Sequence, residues 1–191
     1  VVVGRLVWCT AATLVADART GRRHRRGLRL TGRADARLGA VVVDHGEPAA
    51  YCLPGAGRPV VVTTAALLDA MVAHGVTRIV YASSNHAVGR TPRPDVSTDL
   101  LTVGVRPRPG TFYGVAKVAA EALLSLYVDR YGIDAVSARI GSFLPQPETV
   151  RSLATWLSHD DAVRMFDAAL TAPDPGFAVL YTLEEQLPHT F

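Results

Sequence analysis

The chain has 191 residues, 49% apolar and 19% charged, with a formal net charge of +3. That length and balance fit one folded domain with a real core and exclude a disordered or low-complexity chain. No apolar run reaches the roughly 18 residues a membrane-spanning helix needs, and Cys9 and Cys52 have neither metal nor disulfide spacing, so they read as reduced thiols of a cytoplasmic protein.

Charge is unevenly spread along the chain. Residues 1–60 carry ten arginines against four acids, a net of +6, and the remainder carries −3. The excess gathers in "ARTGRRHRRGLRLTGRADARLG", which has no interleaved aromatics and no nucleic-acid motif. It predicts a solvated segment rather than a nucleic-acid or membrane surface. "VVVGRLVW" and "AVVVDH" are strand candidates, because β-branched runs suit pleated sheet. "GRLVWCTAATLVADA" faintly imitates a secretory leader, but its apolar run is short and no initiator Met precedes it. The missing Met points to a fragment or an unusual start.

From about residue 61 the pattern becomes regular. "TTAALLDAMVAHG" predicts a helix capped by Thr63 or Thr64, with a stripe of Leu67, Leu68, Met71 and Val72, ending at Gly75. "TRIVYASS" reads as a buried parallel strand, apolar until it meets small hydroxyls. Residues 89–111 form a Pro/Gly-containing loop. "YGVAKVAAEALLSLYVDRYG" is a strong helix closed by Gly132, and "DAVSARI" is a strand. "PQPETVRSLATWL" gives a loop and a short helix. "SHDDAVRMFDAALTAP" gives a helix with Ser158 and Asp161 as a capping box, stopped by Pro173. "GFAVLY" is the last strand. Alternating strands and helices predict an α/β domain with a parallel sheet, whose ligands sit at the carboxyl ends of the strands.

The only lysine of the chain, Lys117, follows Tyr113 by four residues, which places both on one helix face. A phenol is a poor base at neutral pH, and a nearby ammonium favours its phenolate. The pair is therefore a candidate proton acceptor, although Tyr-x-x-x-Lys alone also describes an ordinary exposed i,i+4 pair. "ASSNH" at 82–86 closes the preceding strand and puts Ser84 where it could hold a substrate oxygen or cap the next turn. Asn85 and His86 are substrate contacts or turn residues. Asp160 and Asp161 sit in the first turn of a helix, where capping accounts for them. His74 and His159 read as structural, and Trp156 and Phe166 as core. No cluster has metal-ligand spacing.

Together, "YASSNHAVG", "RPRPGTFYGVAK" and "ARIGSFLPQPETVRSLATWLSHDD" resemble the extended short-chain dehydrogenase/reductase family, the NAD-dependent epimerases and dehydratases. Within it the likeness is narrowest to members that oxidise free uronic acids, and it covers about 62–181. The resemblance implies a Rossmann-like parallel sheet flanked by helices, with an atypical or incomplete N-terminal half, and NAD as cofactor. It makes Tyr113 the catalytic base, Lys117 its partner and ribose ligand, and Ser84 the third catalytic residue. Asn85, His86 and Ser142 would touch the sugar, Arg151 would hold its carboxylate, and Ile140 would join Tyr113 and Lys117 on the cofactor side. The implied reaction oxidises C1 of a cyclic hexuronic acid to an aldarolactone. The implied partner is that small molecule, with no nucleic acid and no membrane, and a homo-oligomer is left open.

The first 60 residues depart from the family pattern. Gly4, Gly21, Gly27 and Gly32 do not have the spacing of a pyrophosphate-binding glycine turn, and no acidic ribose reader or convincing fourth strand stands out. Residues 1–60 thus read as an atypical segment in place of the nucleotide-binding half, 61–181 as a catalytic half, and 182–191 as an atypical tail. The ends fit either a shifted reading frame of GC-rich DNA or a divergent nucleotide-binding half. Alternatives to uronate oxidation are a sugar-nucleotide epimerase or dehydratase, and an inactive fragment.

Overall fold

The computed structural model describes residues 6–10, 15–16, 23–24, 40–44, 58–91 and 102–182. Five parallel strands form the main sheet in the order β1 (Leu6–Thr10), β4 (Ala40–Asp44), β5 (Arg78–Ser84), β6 (Asp134–Ile140) and β9 (Phe177–Thr182). The two strand candidates of the first 60 residues are both present, and β4 pairs with β5 through Val42–Val80 and Val43–Tyr81. Of the arginine-rich run, the described part is β3 (Arg23–His24), antiparallel to β2 (Val15–Ala16). Cys52, residues 92–101 of the long loop and the tail after Thr182 lie outside the described residues.

Every residue of β5 from Ile79 to Ser84 is buried. Both faces of this strand are covered, which is why it reads as a continuous apolar run. Successive side chains alternate between faces. Ile79 and Tyr81 pack with Leu67, Leu68 and Met71 of α1 (Arg58–Ala73) and Ala120 and Leu124 of α2 (Phe112–Tyr131). Val80 and Ala82 pack on the other face with Ala162, Phe166 and Ala169 of α4 (His159–Thr171). The result is a sheet with helices on both sides.

Helix ends follow their caps. Thr111 accepts from the Gly114 amide at the start of α2, and Gly132 closes it in the left-handed region at φ 65°. Ser158 accepts from the Asp161 amide at 3.1 Å and donates to its carboxylate at 2.6 Å. Asp161 also pairs with Arg164. Helix α1 corrects the expectation for Thr63 and Thr64. It begins at Arg58, five or six residues earlier, with Pro59 in the first turn, where a missing N–H costs nothing. Both threonines lie inside it and return their hydroxyls to the Val60 carbonyl, at 3.3 and 2.7 Å. The Val60–Val62 run hid this start, because β-branched residues read as strand. Besides β2 and β3, two short elements near the end of β6 escaped the sequence reading. These are β7 (Ser142–Phe143) and β8 (Trp156–Leu157), which pair in parallel around the short helix α3 (Val150–Leu153). Among the described residues no helix is long and apolar enough to cross a membrane.

Candidate active site

A cavity of about 300 Å³ opens at the carboxyl ends of β5 and β6. That is the end of a parallel sheet where ligands bind. Ser84, Asn85, His86, Tyr113, Ile140, Ser142 and Arg151 all line it, and Lys117 does not. Three separate stretches, 84–86, 113 and 140–151, therefore meet at one place.

Ser84 ends β5, and its Oγ accepts from the His86 amide at 3.2 Å. It caps the 3₁₀ turn Asn85–Val88, as one sequence reading expects, and also lines the cavity. Tyr113 sits in the first turn of α2 and is 7% exposed. Its ring meets the His86 ring edge-on at 5.9 Å. Lys117, one turn further on, is 0% exposed. Its Nζ donates to the Ala82 carbonyl at 2.5 Å and lies 5.2 Å from the Tyr113 ring and 4.8 Å from the Tyr81 ring. The ammonium is thus held behind the phenol.

Two glycines permit this convergence. A Cβ on Gly114 would penetrate the His86 carbonyl group, so the turn can press against α2 only at glycine. A Cβ on Gly141 would penetrate the Thr155 carbonyl, which accepts from the Ser142 amide at 2.7 Å. Ser142 Oγ also lies 3.0 Å from Thr155 Oγ1. Thr155 lines the cavity and was not foreseen from sequence, because its position depends on the β7–β8 pairing.

The remaining wall is apolar: Phe143, Leu157, Ala162 and Phe166. Phe166 serves core and cavity at once, and Phe143 packs on the His159 ring at 4.6 Å. Trp156 donates to the Leu144 carbonyl at 2.8 Å. Arg151, exposed on α3, brings a guanidinium to the rim, and among the described residues no Asp or Glu lines the cavity. Burial, and then the positive charge of Arg151, push the His86 imidazole below its ordinary 6.5. His86 is therefore a neutral hydrogen-bonding group at neutral pH, and the cavity is cationic. Among the described residues no three His, Cys, Asp or Glu are gathered to hold a metal ion.

The described residues fit one end of a dinucleotide. Tyr113, with the buried ammonium behind it, and Ile140 at the neighbouring strand end both line the cavity at the carboxyl end of the sheet.

Residues 58–148 match the model of the NAD dependent epimerase/dehydratase family. A uronate dehydrogenase of Pseudomonas syringae pv. tomato is 40% identical over 119 residues, 62% of this chain and 42% of that protein. A uronate dehydrogenase of Agrobacterium fabrum is 43% identical over 115 residues, 60% of this chain and 42% of that protein. Among solved structures, the crystal structure of uronate dehydrogenase from Agrobacterium tumefaciens superposes with a TM-score of 0.69 at 35% identity, over 76% of this chain and 53% of that one. The chain thus spans less than half the length of these curated relatives.

Proposed function

From the match of residues 58–148 to the NAD dependent epimerase/dehydratase family model, we infer that this site serves NAD-dependent oxidation of a free hexuronic acid at C1, giving an aldarolactone. The observation that carries the reading is the cavity's make-up. A phenol backed by a buried ammonium stands at one side and a guanidinium at the rim, and among the described residues no carboxylate lies between them. A planar guanidinium pairs a carboxylate through two parallel hydrogen bonds, which fits Arg151 to the acid group of the sugar.

Bound NAD would supply the hydride acceptor, held on the side of Tyr113, Lys117 and Ile140. The chain's own residues do the rest. Ser84 Oγ and the amide of Asn85 hydrogen-bond the C1 hydroxyl and its neighbours. Lys117 stabilises the phenolate form of Tyr113, which takes the C1 hydroxyl proton as the C1–H bond breaks. His86, neutral, and Ser142 hydrogen-bond the remaining hydroxyls. The apolar wall around Phe166 limits water.

Turnover of glucuronate and galacturonate, at millimolar NAD and followed by nicotinamide absorbance, tests the reading. Tyr113→Phe should abolish it, and Arg151→Ala should raise KM at least tenfold while leaving neutral sugars unaffected. Faster turnover of a nucleotide sugar than of either free uronate would instead place the protein among the sugar-nucleotide epimerases and dehydratases.

A further inference from the structure

One layer behind the cavity lies a buried ionic cluster that the proposed chemistry does not use. Ser83, Arg139 and Tyr181 are register partners across β5, β6 and β9. All three meet at α2. Glu121 accepts from Arg139 Nε at 3.0 Å and Nη2 at 2.8 Å, and from Ser83 Oγ at 2.6 Å. Arg139 Nη1 donates to the Tyr181 hydroxyl at 3.1 Å. Glu121 and Arg139 are 5% and 3% exposed. Such a pair gives little net stability, since apolar residues of the same volume often do as well. Its placement points to another role.

Position supplies one. Tyr113, Lys117 and Glu121 follow each other at four-residue steps on the buried stripe of α2. Glu121 is therefore a turn away from Lys117 on the same face. A bare carboxylate there would compete with Tyr113 for the ammonium. We propose that Arg139 is a positioning residue that neutralises Glu121, so that the charge of Lys117 acts on Tyr113, while Glu121 in turn anchors the end of β5 through Ser83. The inference rests on the reading of Tyr113 as the proton acceptor. The other titratable groups packed around the phenol and the ammonium are Tyr81 on β5, His86 on the following turn and Arg151 on α3, while Tyr181 on β9 faces Arg139. None of them is altered by the variants below.

The test reads Tyr113 directly and needs neither cofactor nor turnover. Ring-¹³C tyrosine is incorporated, the Tyr113 resonance is assigned with Tyr113→Phe, and its titration is followed in the full chain. Glu121→Gln keeps an oxygen for Ser83 but leaves Arg139 charged, so the Tyr113 midpoint should fall. Arg139→Met leaves Glu121 charged, so it should rise. The Glu121→Gln shift should be about one pH unit, the effect of a charge roughly 12 Å along the helix at an effective dielectric near 20, and the Arg139→Met shift should have the opposite sign. The double variant should return near the starting midpoint. Unmoved midpoints, or shifts of the same sign in both single variants, would overturn the proposal, because distortion alone has no reason to reverse sign. If Arg139→Met does not fold, the direction of the Glu121→Gln shift decides alone, and a rise or no change sinks it. Uronate oxidation surviving in Tyr113→Phe is a different result: it defeats the proposed function and leaves the charge coupling standing.

Discussion

Gly114 stands between Tyr113 and Lys117 in the first turn of α2, where glycine has less helix propensity than alanine. Propensity alone therefore says that Gly114→Ala should stabilise. Contact says otherwise, because the added methyl would enter the His86 carbonyl group and meet Pro109 Cβ at 3.0 Å. Overpacking of this kind costs about 1–3 kcal/mol. Backbone is the obstacle rather than a mobile side-chain tip, so the penalty should win. Gly114→Ala is expected to lower the thermal midpoint and to displace the 85–88 turn, read as changed His86 ring shifts in NMR. A raised midpoint would show that the turn yields. His86 gives a second prediction at this scale, with its sign fixed by burial. The folded state holds the imidazole below 6.5, whereas the unfolded chain protonates it near 6.5. Folding is therefore favoured fully above that value, and this contribution fades as pH falls below it, because the unfolded state then binds the extra proton. Between pH 7.5 and 5.5 the urea midpoint should fall more steeply in the wild type than in His86→Gln. Equal slopes would place the acid sensitivity elsewhere.

Helix α4 supplies Ala162 and Phe166 to the cavity wall, and one side chain from the opposite end of the sheet anchors its last turn. Arg78, at the start of β5, donates Nη1 to the carbonyls of Leu170 and Ala172, at 2.7 and 2.8 Å, and pairs with Asp134 at 2.7 Å. Asp134 accepts in turn from the Gly176 amide at 3.1 Å, which fixes the entry to β9. The Arg78 side chain is 12% exposed, so loss of these bonds strands carbonyls that water reaches poorly. Arg78→Met should cost about 2 kcal/mol in urea denaturation, and it should also weaken uronate binding by loosening α4. Stability loss with binding untouched would mean that the wall does not depend on this anchor. This clamp was not legible in the sequence, because its partners lie 92 and 94 residues away. What could be read was local. The run Ile79–Ser84, the cap Ser158 and the terminators Gly75 and Gly132 each declare their element through neighbours a few residues off. The short β7–β8 pair declares nothing locally, since two residues carry no period, so Thr155 could not be placed beside Ser142. The cluster of Ser83, Glu121 and Arg139 was hidden likewise, as three ordinary polar residues on three elements.

Across the whole molecule, the sheet joins two strands from the first 60 residues to a site built from the remainder. Strand β1 lies directly beside β4, the adjacency of a doubly wound dinucleotide-binding sheet. In such sheets the pyrophosphate is received just past the end of the first strand, where glycines let backbone amides and a helix N-terminus approach it. Here the ten residues after β1, "AATLVADART", contain no glycine. Glycine is what permits so close an approach, and pyrophosphate contacts supply much of a dinucleotide's affinity. On the proposed reading Tyr113, Lys117, Ser84 and Arg151 serve the nicotinamide and sugar ends, so the two ligands should part company. Titration calorimetry of the 191-residue chain should find NAD binding with a Kd above about 1 mM, equivalent to less than about 4 kcal/mol. Glucuronate should bind independently of NAD and lose its affinity in Arg151→Ala. Grafting the glycine turn of a uronate dehydrogenase after Thr10 should then tighten NAD at least tenfold while leaving glucuronate affinity unchanged. Micromolar NAD binding by the unmodified chain would show that its backbone reaches the pyrophosphate without glycine, and residues 1–60 would then be a working, divergent nucleotide-binding half.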